Sequence, residues 1–239
     1  METQGIELGE DQATQESRIA ARAGELFREH QDHVRVRVDR MFLFLMGGQW
    51  VFGIIVALFF SPWAWEGKEK AIHLHVYLAV FLGGALSLFP ILLAWRRPGW
   101  VVTRHVIAFS QMLWSALLIH LSGGRIETHF HVFGSLAFLA FYLDWRVLGT
   151  ATTVVVVDHL ARGLLWPESV YGVPNPEWWR FLEHAFWVLF EDLFLVLACI
   201  NGVRDGWRGA RRQAEVEILR ENDELKTFAL EMALAEARG

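Results

Sequence analysis

The sequence predicts an all-α, polytopic membrane protein with six transmembrane helices and with both termini in the cytoplasm. Three observations support this fold class. The 239 residues are 54% hydrophobic and only 21% charged, which is more apolar than an ordinary soluble domain. The polar residues concentrate in two terminal stretches, residues 1–40 and 204–239. The apolar middle contains runs of about 20 residues, the length that a helix needs to cross the hydrocarbon core of a bilayer.

The six predicted spans are separated by short polar breaks. They are Met41–Ser61, His73–Trp95, Val102–Leu121, Ile126–Trp145, Val147–Trp166 and Phe181–Val203. Arginines and lysines flank them mainly on one side, which the positive-inside rule assigns to the cytoplasm, and tryptophans lie at many of the helix ends. Three domains follow: an N-terminal helix at 1–40, a membrane domain at 41–203 and a cytoplasmic exit helix at 204–239.

The distribution of charged residues along the chain indicates its cellular location and the partners that it does not bind. About forty polar residues precede the first apolar run, so we expect no cleavable signal peptide and a retained first span. A net charge of −5, with no basic stripe beyond the arginines beside the membrane, argues against a nucleic-acid partner. We therefore expect a multi-pass protein of the bacterial inner membrane, with the lipid bilayer as its surroundings.

The C-terminal stretch is predicted to form a signalling helix that pairs with a second copy of the chain. Residues 211–238 contain no glycine or proline and are rich in strong helix formers. Ile218, Leu225 and Met232 recur every seven residues, and Asn222 follows the first of them by four. An asparagine in such a seam commonly fixes a parallel dimer and its register. The sequence thus predicts a parallel homodimeric coiled coil, with a solvated single helix as the alternative.

Seven of the ten histidines are predicted to lie in the outer half of the membrane domain, on five different helices. They are His73, His75, His120, His129, His131, His159 and His184. Ionisable residues at membrane depth are costly, and they usually face the interior of a bundle and mark functional sites. Charged residues that would orient the histidines accompany them, namely Asp158, Arg125, Arg162, Glu183, Glu191 and Asp192.

Imidazole nitrogens combined with carboxylates are the ligands that transition metals such as iron, copper or zinc require. We therefore predict a metal site built mainly from His129, His131, His159 and His184, with Glu127 as a bridging or capping ligand. Haem b is the alternative cofactor, because a bis-histidine haem needs only two imidazoles. A thiolate site is excluded, since Cys199 is the only cysteine of the chain. No residue is predicted to be catalytic.

A short internal repeat suggests that the site has two related halves. The second span begins with the pattern H-x-H-V-aromatic at His73, and the fourth begins with the same pattern at His129. The third and fifth spans end with H-L-x-x-G, at His120 and His159. Two metal ions or two haems would fit such a repeat better than one. His73, His75 and His120 would then form the second centre.

Three long strings of residues resemble a known class of proteins. They are HLSGGRIETHFHVFGSLAFLAFYLDWR at 120–146, DHLARGLLWPESVYGV at 158–173 and LEHAFWVLFEDLF at 182–194. The resemblance, over roughly residues 30–203, is to the N-terminal membrane sensor module of bacterial sensor histidine kinases and related hybrid signalling proteins. It implies signal transduction in a two-component system, with a PAS, kinase or cyclase output domain fused after the exit helix.

This resemblance makes a sensory module the leading hypothesis. The chain reaches Gly239 without a phosphoacceptor motif or a nucleotide-binding loop, so we expect the output domain to be missing from it and the chain itself not to be an enzyme. Two other function classes remain open. An integral membrane metal oxidoreductase is one, although the histidine boxes of membrane desaturases are absent. An ion or metal transporter is the other, favoured by Glu191 and Asp192 near the middle of the sixth span.

Overall fold

The computed structural model describes the backbone of residues 2–66 and 69–238, and the side chains of residues 13–64 and 69–238. These residues are almost entirely helical, so the predicted all-α class is confirmed. The chain divides into two compact units. One unit combines Met1–Asp32 with Gly202–Gly239, and the other is His33–Asn201.

The helices and strands follow one another with short connections. Helix α1 (Glu2–Phe60) leads into a hairpin of strands β1 (Trp63–Glu66) and β2 (Glu69–Ile72). Next come α2 (Leu74–Tyr77), a π-helical turn (Leu78–Leu82), α3 (Gly83–Arg96) and α4 (Val101–Leu121). The remaining elements are α5 (Ile126–Leu139), a 3₁₀ turn (Ala140–Tyr142), α6 (Trp145–Leu165), α7 (Glu168–Tyr171) and α8 (Arg180–Glu236).

Several of these helices are suited to a bilayer. Five stretches among the described residues are long and apolar enough to cross a membrane, namely Ala13–Phe60, Leu74–Arg96, Val101–Leu121, Trp145–Leu165 and Arg180–Glu236. Each of them overlaps one of the predicted spans. The total of six spans and the cytoplasmic position of both termini stay predictions.

The fourth predicted span, Ile126–Trp145, is shorter in the structure. Helix α5 ends at Leu139 and the 3₁₀ turn ends at Tyr142. Leu143 then adopts a left-handed conformation with φ of 53°, and the Asp144 carboxylate accepts a hydrogen bond from the backbone N–H of Arg146 at 3.2 Å. Because an aspartate in this position caps a helix start, the next helix begins at Trp145, the residue predicted to end the fourth span.

The connection between the first two spans forms a β-hairpin that the sequence analysis did not predict. Trp63 pairs with Ile72 and Ala64 with Ala71 in antiparallel register. The ammonium group of Lys70 lies 3.8 Å from the centroid of the Trp63 ring. A cation over an indole face is attracted by the ring quadrupole, which stabilises this short hairpin.

Helix α4 is the centre of the unit His33–Asn201, because most of its residues are buried while the other candidate spans are largely exposed. Its Trp114 is fully buried and donates a hydrogen bond from the indole nitrogen to the Ser87 hydroxyl at 2.9 Å. The ring lies so close to Gly53 and Gly83 that a Cβ there would come within 2.6 Å and 2.8 Å of it. Glycines at these two positions therefore let α1 and α3 approach α4.

A polar network joins the helices at the edge of this unit opposite the β-hairpin. The buried Asp39 of α1 accepts hydrogen bonds from the Tyr142 hydroxyl and from the backbone N–H of Gly99, both at 2.6 Å. Arg104 forms an ion pair with Asp144 at 3.0 Å. Buried charges need such partners, so these contacts hold the turn after α5 and the turn before α4 against α1.

In the other unit, the two terminal stretches of the chain contact each other. Ile19 and Ala23 pack against Ala214 and Ile218, and Leu26 adjoins this cluster. Ion pairs join Arg22 with Glu217 and Arg18 with Glu221, both at 2.8 Å. Both stretches are helical, as parts of α1 and α8.

These contacts bury one residue of the predicted coiled-coil seam within its own chain. Ile218, the first residue of the heptad pattern, is 5% exposed because it packs within the same chain. Leu225 and Met232 remain exposed. The parallel dimer therefore stays a prediction, and of the three apolar residues of the heptad pattern Leu225 and Met232 are available for it.

Candidate functional site

Three of the predicted ligands come together from three helices. His129 lies in α5, His159 in α6 and His184 in α8. The ring centroids are 5.7 Å apart for His129 and His159, 5.2 Å for His129 and His184, and 6.0 Å for His159 and His184. His129 and His159 are each 5% exposed, and His184 is half-buried. We call these residues the α5–α6–α8 cluster.

The helical backbone orients all three rings of this cluster in the same way. In each ring, Nδ1 faces the backbone carbonyl oxygen of the residue four positions earlier. The distances are 3.0 Å to Arg125, 3.1 Å to Val155 and 2.9 Å to Arg180. Because a carbonyl oxygen can only accept, each Nδ1 must carry the hydrogen and donate it. In the neutral ring the lone pair then lies on Nε2, the atom available to a cation.

The three rings border a small cavity of about 30 Å³. Val132, Val155 and Val188 contribute apolar walls. Among the described residues, Nε2 of His129 is buried without a hydrogen-bond partner. An unpaired buried nitrogen is costly, and the cavity beside it is large enough for a water molecule or another small group that could pair with it.

The spacing of the rings discriminates between two kinds of cofactor. A tetrahedral ion bound at about 2.0–2.1 Å by Nε2 atoms would place the ring centroids roughly 5.2 Å apart. Axial histidines on opposite faces of a haem would require roughly 6.4 Å and room for the macrocycle between them. The observed centroid distances of 5.2 to 6.0 Å around a cavity of about 30 Å³ fit a single ion better than a bis-histidine haem.

The cluster is not assembled as in a metal-bound protein. In the described part of the chain, no three His, Cys, Asp or Glu side chains have their donor atoms gathered closely enough to hold an ion. The widest pair of rings, His159 and His184, is 6.0 Å apart and exceeds the tetrahedral spacing of roughly 5.2 Å by less than about 1 Å.

A larger cleft of about 660 Å³ adjoins the cluster, and His129 and His184 border it as well. Its walls are mainly aromatic, from Phe130, Phe133 and Trp187. Arg180 and Glu183 add opposite charges to the lining. A ligand that enters this cleft would reach the two histidines directly.

Tyr171, which the sequence analysis did not single out, also lines this cleft and lies 5.5 Å from His184 between ring centroids. Burial raises the pKa of its hydroxyl group above the ordinary tyrosine value. The hydroxyl therefore stays protonated and can donate a hydrogen bond.

A chain of hydrogen bonds runs along one side of His159. The Asp158 carboxylate lies 3.4 Å from Nδ1 of His159 and accepts two hydrogen bonds from Arg162, at 2.8 Å and 2.5 Å. Arg162 also donates to the hydroxyl of Ser169 at 2.9 Å, and this hydroxyl lies 2.9 Å from Nδ1 of His120. Asp158 thus lies beside His159, and Arg162 and Ser169 connect it with His120, while the orienting role of Asp158 and Arg162 stays a prediction.

His73, His75 and His120 form a second group, which we call the α2–α4 cluster. Ring centroids are 4.3 Å apart for His73 and His75, and 4.8 Å for His75 and His120. Here Nδ1 of His73 accepts a hydrogen bond from the backbone N–H of His75 at 3.1 Å. The lone pair of Nδ1 is therefore used, and the hydrogen of the neutral His73 ring lies on Nε2.

His131, predicted as a ligand together with His129, points away from the α5–α6–α8 cluster. Its Nε2 lies 2.6 Å from the amide nitrogen of Gln49, and its Nδ1 lies 2.8 Å from the hydroxyl of Ser115. Residues two apart on a helix point roughly 200° apart, which explains the separation. The structure thus places His131 in a polar contact with α1 and α4.

The predicted carboxylates also differ in position. Glu127 is exposed and forms an ion pair with Arg125 at 3.6 Å instead of facing the histidines. Glu191 and Asp192 lie further along α8, where Thr152 donates a short hydrogen bond to Asp192. One oxygen of each of these two carboxylates is buried without a partner among the described residues.

Part of this chain is similar to a known transducer protein. No family of proteins and no solved structure matches this chain. The chain is 34% identical over 85 residues to the Transducer protein Htr8 of Halobacterium salinarum. The match covers 34% of this chain and 13% of that protein, so the chain spans only a small part of its relative. Together with the apolar helices, this similarity supports a membrane protein with a general role in signal transduction.

Proposed function

We propose that this chain is the sensory module of a signalling protein and that its α5–α6–α8 cluster binds one transition-metal ion, iron, copper or zinc. The observation that carries the proposal is the shared orientation of the three rings. Each Nδ1 donates to a backbone carbonyl, so the lone pair of each neutral ring lies on Nε2, and the three rings border one cavity of about 30 Å³. Imidazole Nε2 held by a hydrogen bond at Nδ1 is the usual arrangement of a metal-binding histidine.

The cluster supplies three ligands, which leaves a coordination position open. Sites with three protein ligands and one exchangeable position are typical of metals that bind small molecules. The adjoining cleft of about 660 Å³ borders His129 and His184 and would admit such a molecule. The signal would then be a ligand that completes the coordination of the ion.

Helix α8 connects the proposed metal site with the exit helix. His184 lies near its start, and the same helix continues to Glu236. An ion that draws His184 toward His129 and His159 would shift this helix. In a parallel dimer with Leu225 and Met232 at the seam, such a shift would alter the spacing or rotation of the exit helices and reach a fused PAS, kinase or cyclase domain.

Metal analysis of the purified full chain in lipid nanodiscs tests the site. We expect about one ion per chain in the wild type and, with cobalt, visible absorption bands typical of nitrogen ligands. His129→Ala, His159→Ala and His184→Ala should lower the bound metal sharply. His105→Ala, distant in sequence from all three, is the control. A wild type without metal, or full metal in all three variants, would contradict the proposal.

Haem b is the second candidate, favoured by the size of the cleft. A volume of about 660 Å³ with aromatic walls could hold a porphyrin, with Arg180 facing a propionate and His129 or His184 as a single axial ligand. The absorption spectrum separates the two candidates. A Soret band that is lost in His129→Ala or His184→Ala, without a bound non-haem ion, would replace the metal proposal by this one.

We also propose that the chain lies in the bacterial inner membrane with both termini in the cytoplasm. Cysteines introduced at Lys70 and Glu168 should then react with a membrane-impermeant label from outside, and one at Pro98 should not. Labelling at Pro98 would contradict this topology. Cross-linking through a cysteine at Leu225 should trap dimers, whereas exclusively monomeric chains would show that the exit helix does not pair.

A further inference from the structure

A groove of about 320 Å³ adjoins the α2–α4 cluster and lies apart from the proposed metal site. Its walls are leucines of the π-helical turn, α3 and α4, namely Leu78, Leu82, Leu86, Leu113 and Leu117. Its polar lining consists of His120, Arg162, Asp158 and Ser169, with Trp166 beside them. The groove therefore combines an apolar part with a compact polar part.

The hydrogen bonds of the polar part determine which ligand atoms it can recognise. Arg162 donates to the Ser169 hydroxyl, which lies 2.9 Å from Nδ1 of His120 and can donate its own hydrogen to that nitrogen. The hydrogen of the neutral His120 ring then lies on Nε2, as in His73. Because Nε2 is a donor in this state, a ligand needs an acceptor oxygen.

The charge of the polar part favours a neutral ligand. Arg162 makes two hydrogen bonds to the Asp158 carboxylate, at 2.8 Å and 2.5 Å, and a third to Ser169. Its positive charge is therefore balanced, and most of its donors are used. An anionic head group would meet the Asp158 carboxylate and gain no free cation in return.

The shape of the groove suits a flat ring with an apolar tail. The Trp166 ring lies 4.8 Å from the His120 ring between centroids, which supplies an aromatic wall beside the donor. Leu78, Leu82 and Leu86 follow at four-residue intervals, so they line about 12 Å of groove. A π-helical turn over Leu78–Leu82 breaks the regular α-helical pattern there, and such turns are frequent at functional sites.

We propose that this groove binds a membrane quinone. A quinone carbonyl accepts a hydrogen bond from Nε2 of His120, the ring lies beside Trp166, and the isoprenoid tail follows the leucines. The proposal concerns binding alone. It goes beyond the metal-sensor function and does not depend on it, because none of the three histidines of the α5–α6–α8 cluster lines the groove, although Asp158 both lines it and lies beside His159.

Photolabelling with a short-chain azido-quinone on the full chain in nanodiscs tests the site. We expect labelled peptides from the groove, and a loss of about tenfold in apparent affinity in Leu82→Trp, which fills the groove, and in His120→Leu, which removes the donor. Leu88→Trp is the matched control, since Leu88 lies in the same candidate span Leu74–Arg96, is 53% exposed and does not line the groove. Equal labelling of Leu82→Trp and the wild type overturns the proposal.

Competition separates a quinone from other amphiphiles. Unlabelled ubiquinone with a short tail should displace the probe, whereas oleate and added phospholipid at the same concentration should not. Equal displacement by oleate would show a general lipid groove and overturn the assignment. His129→Ala should keep the labelling of the wild type, so a failure of the metal proposal and a failure of this one give different results.

Discussion

The α5–α6–α8 cluster and the α2–α4 cluster each contain three histidines, but their ring nitrogens have different partners. In the first cluster, every Nδ1 donates a hydrogen bond to a backbone carbonyl, so the free lone pair of each neutral ring is on Nε2. In the second, Nδ1 of His73 accepts from a backbone N–H, and Nδ1 of His120 contacts Ser169. In their neutral rings the two clusters therefore differ in which nitrogen carries the hydrogen, although each contains three histidines.

The position of each histidine in its helix explains this difference. His129, His159 and His184 follow other residues of their helix or its cap, so the carbonyl four positions earlier is within reach. His73 precedes the first turn of α2 with φ of −65° and ψ of 146°. There the first N–H groups of the helix lack intrahelical acceptors, and the imidazole of His73 supplies one.

The largest expected effect is the loss of metal affinity when one histidine of the α5–α6–α8 cluster is removed. His129→Ala removes one of three ligands and should weaken metal binding by more than about 100-fold in a chelator competition. His73→Ala in the other cluster should leave the metal affinity unchanged. Equal losses of metal affinity in both variants would contradict a difference between the two clusters in metal binding.

A smaller loss is expected when only the orientation of a ligand is disturbed. Asp158→Asn removes the negative charge next to Nδ1 of His159 and should lower the metal affinity by about 10–100-fold, as for other partners of ligating histidines. Asp192→Asn, a carboxylate that contacts Thr152 instead, is the matched control. An unchanged affinity in Asp158→Asn would remove this residue from the site.

His131 provides a contrast with both clusters, because each of its nitrogens already has a side-chain partner. His131→Ala should retain the metal but leave Gln49 and Ser115 without their partner. We expect a loss of about 1–3 kcal/mol in the free energy of unfolding, measured by denaturant titration in micelles. If His131→Ala lost the metal and kept the free energy of unfolding of the wild type, His131 would be a metal ligand after all.

The smallest effect is a change of tautomer without a change of affinity. In ¹⁵N-histidine-labelled protein, Ser169→Ala should remove the donor from Nδ1 of His120 and shift the ring nitrogen signals of this residue. The signals of His129 and the metal affinity should stay as in the wild type. A wild-type spectrum in which His73 carries its hydrogen on Nδ1 would contradict the contrast between the clusters.

Much of the candidate site was predictable from local patterns. His129, His159 and His184 stood out because polar side chains at membrane depth are costly and therefore converge on a bundle interior. The separation of His131 from His129 follows from helical geometry, yet nothing in the sequence shows which of the two faces the other helices. Glu127 was misplaced for a related reason, since a residue of the first helical turn can reach solvent and pair with Arg125.

The sequence by itself determined the all-α class and the apolar helices, because these depend on composition and on periodicity along the chain. Only the tertiary structure decided the early end of α5, the burial of Ile218 within its own chain, and the choice of free nitrogen in each histidine. These features depend on which groups from distant segments meet. A ring nitrogen donates or accepts according to its neighbour in space, and that neighbour is absent from any local pattern.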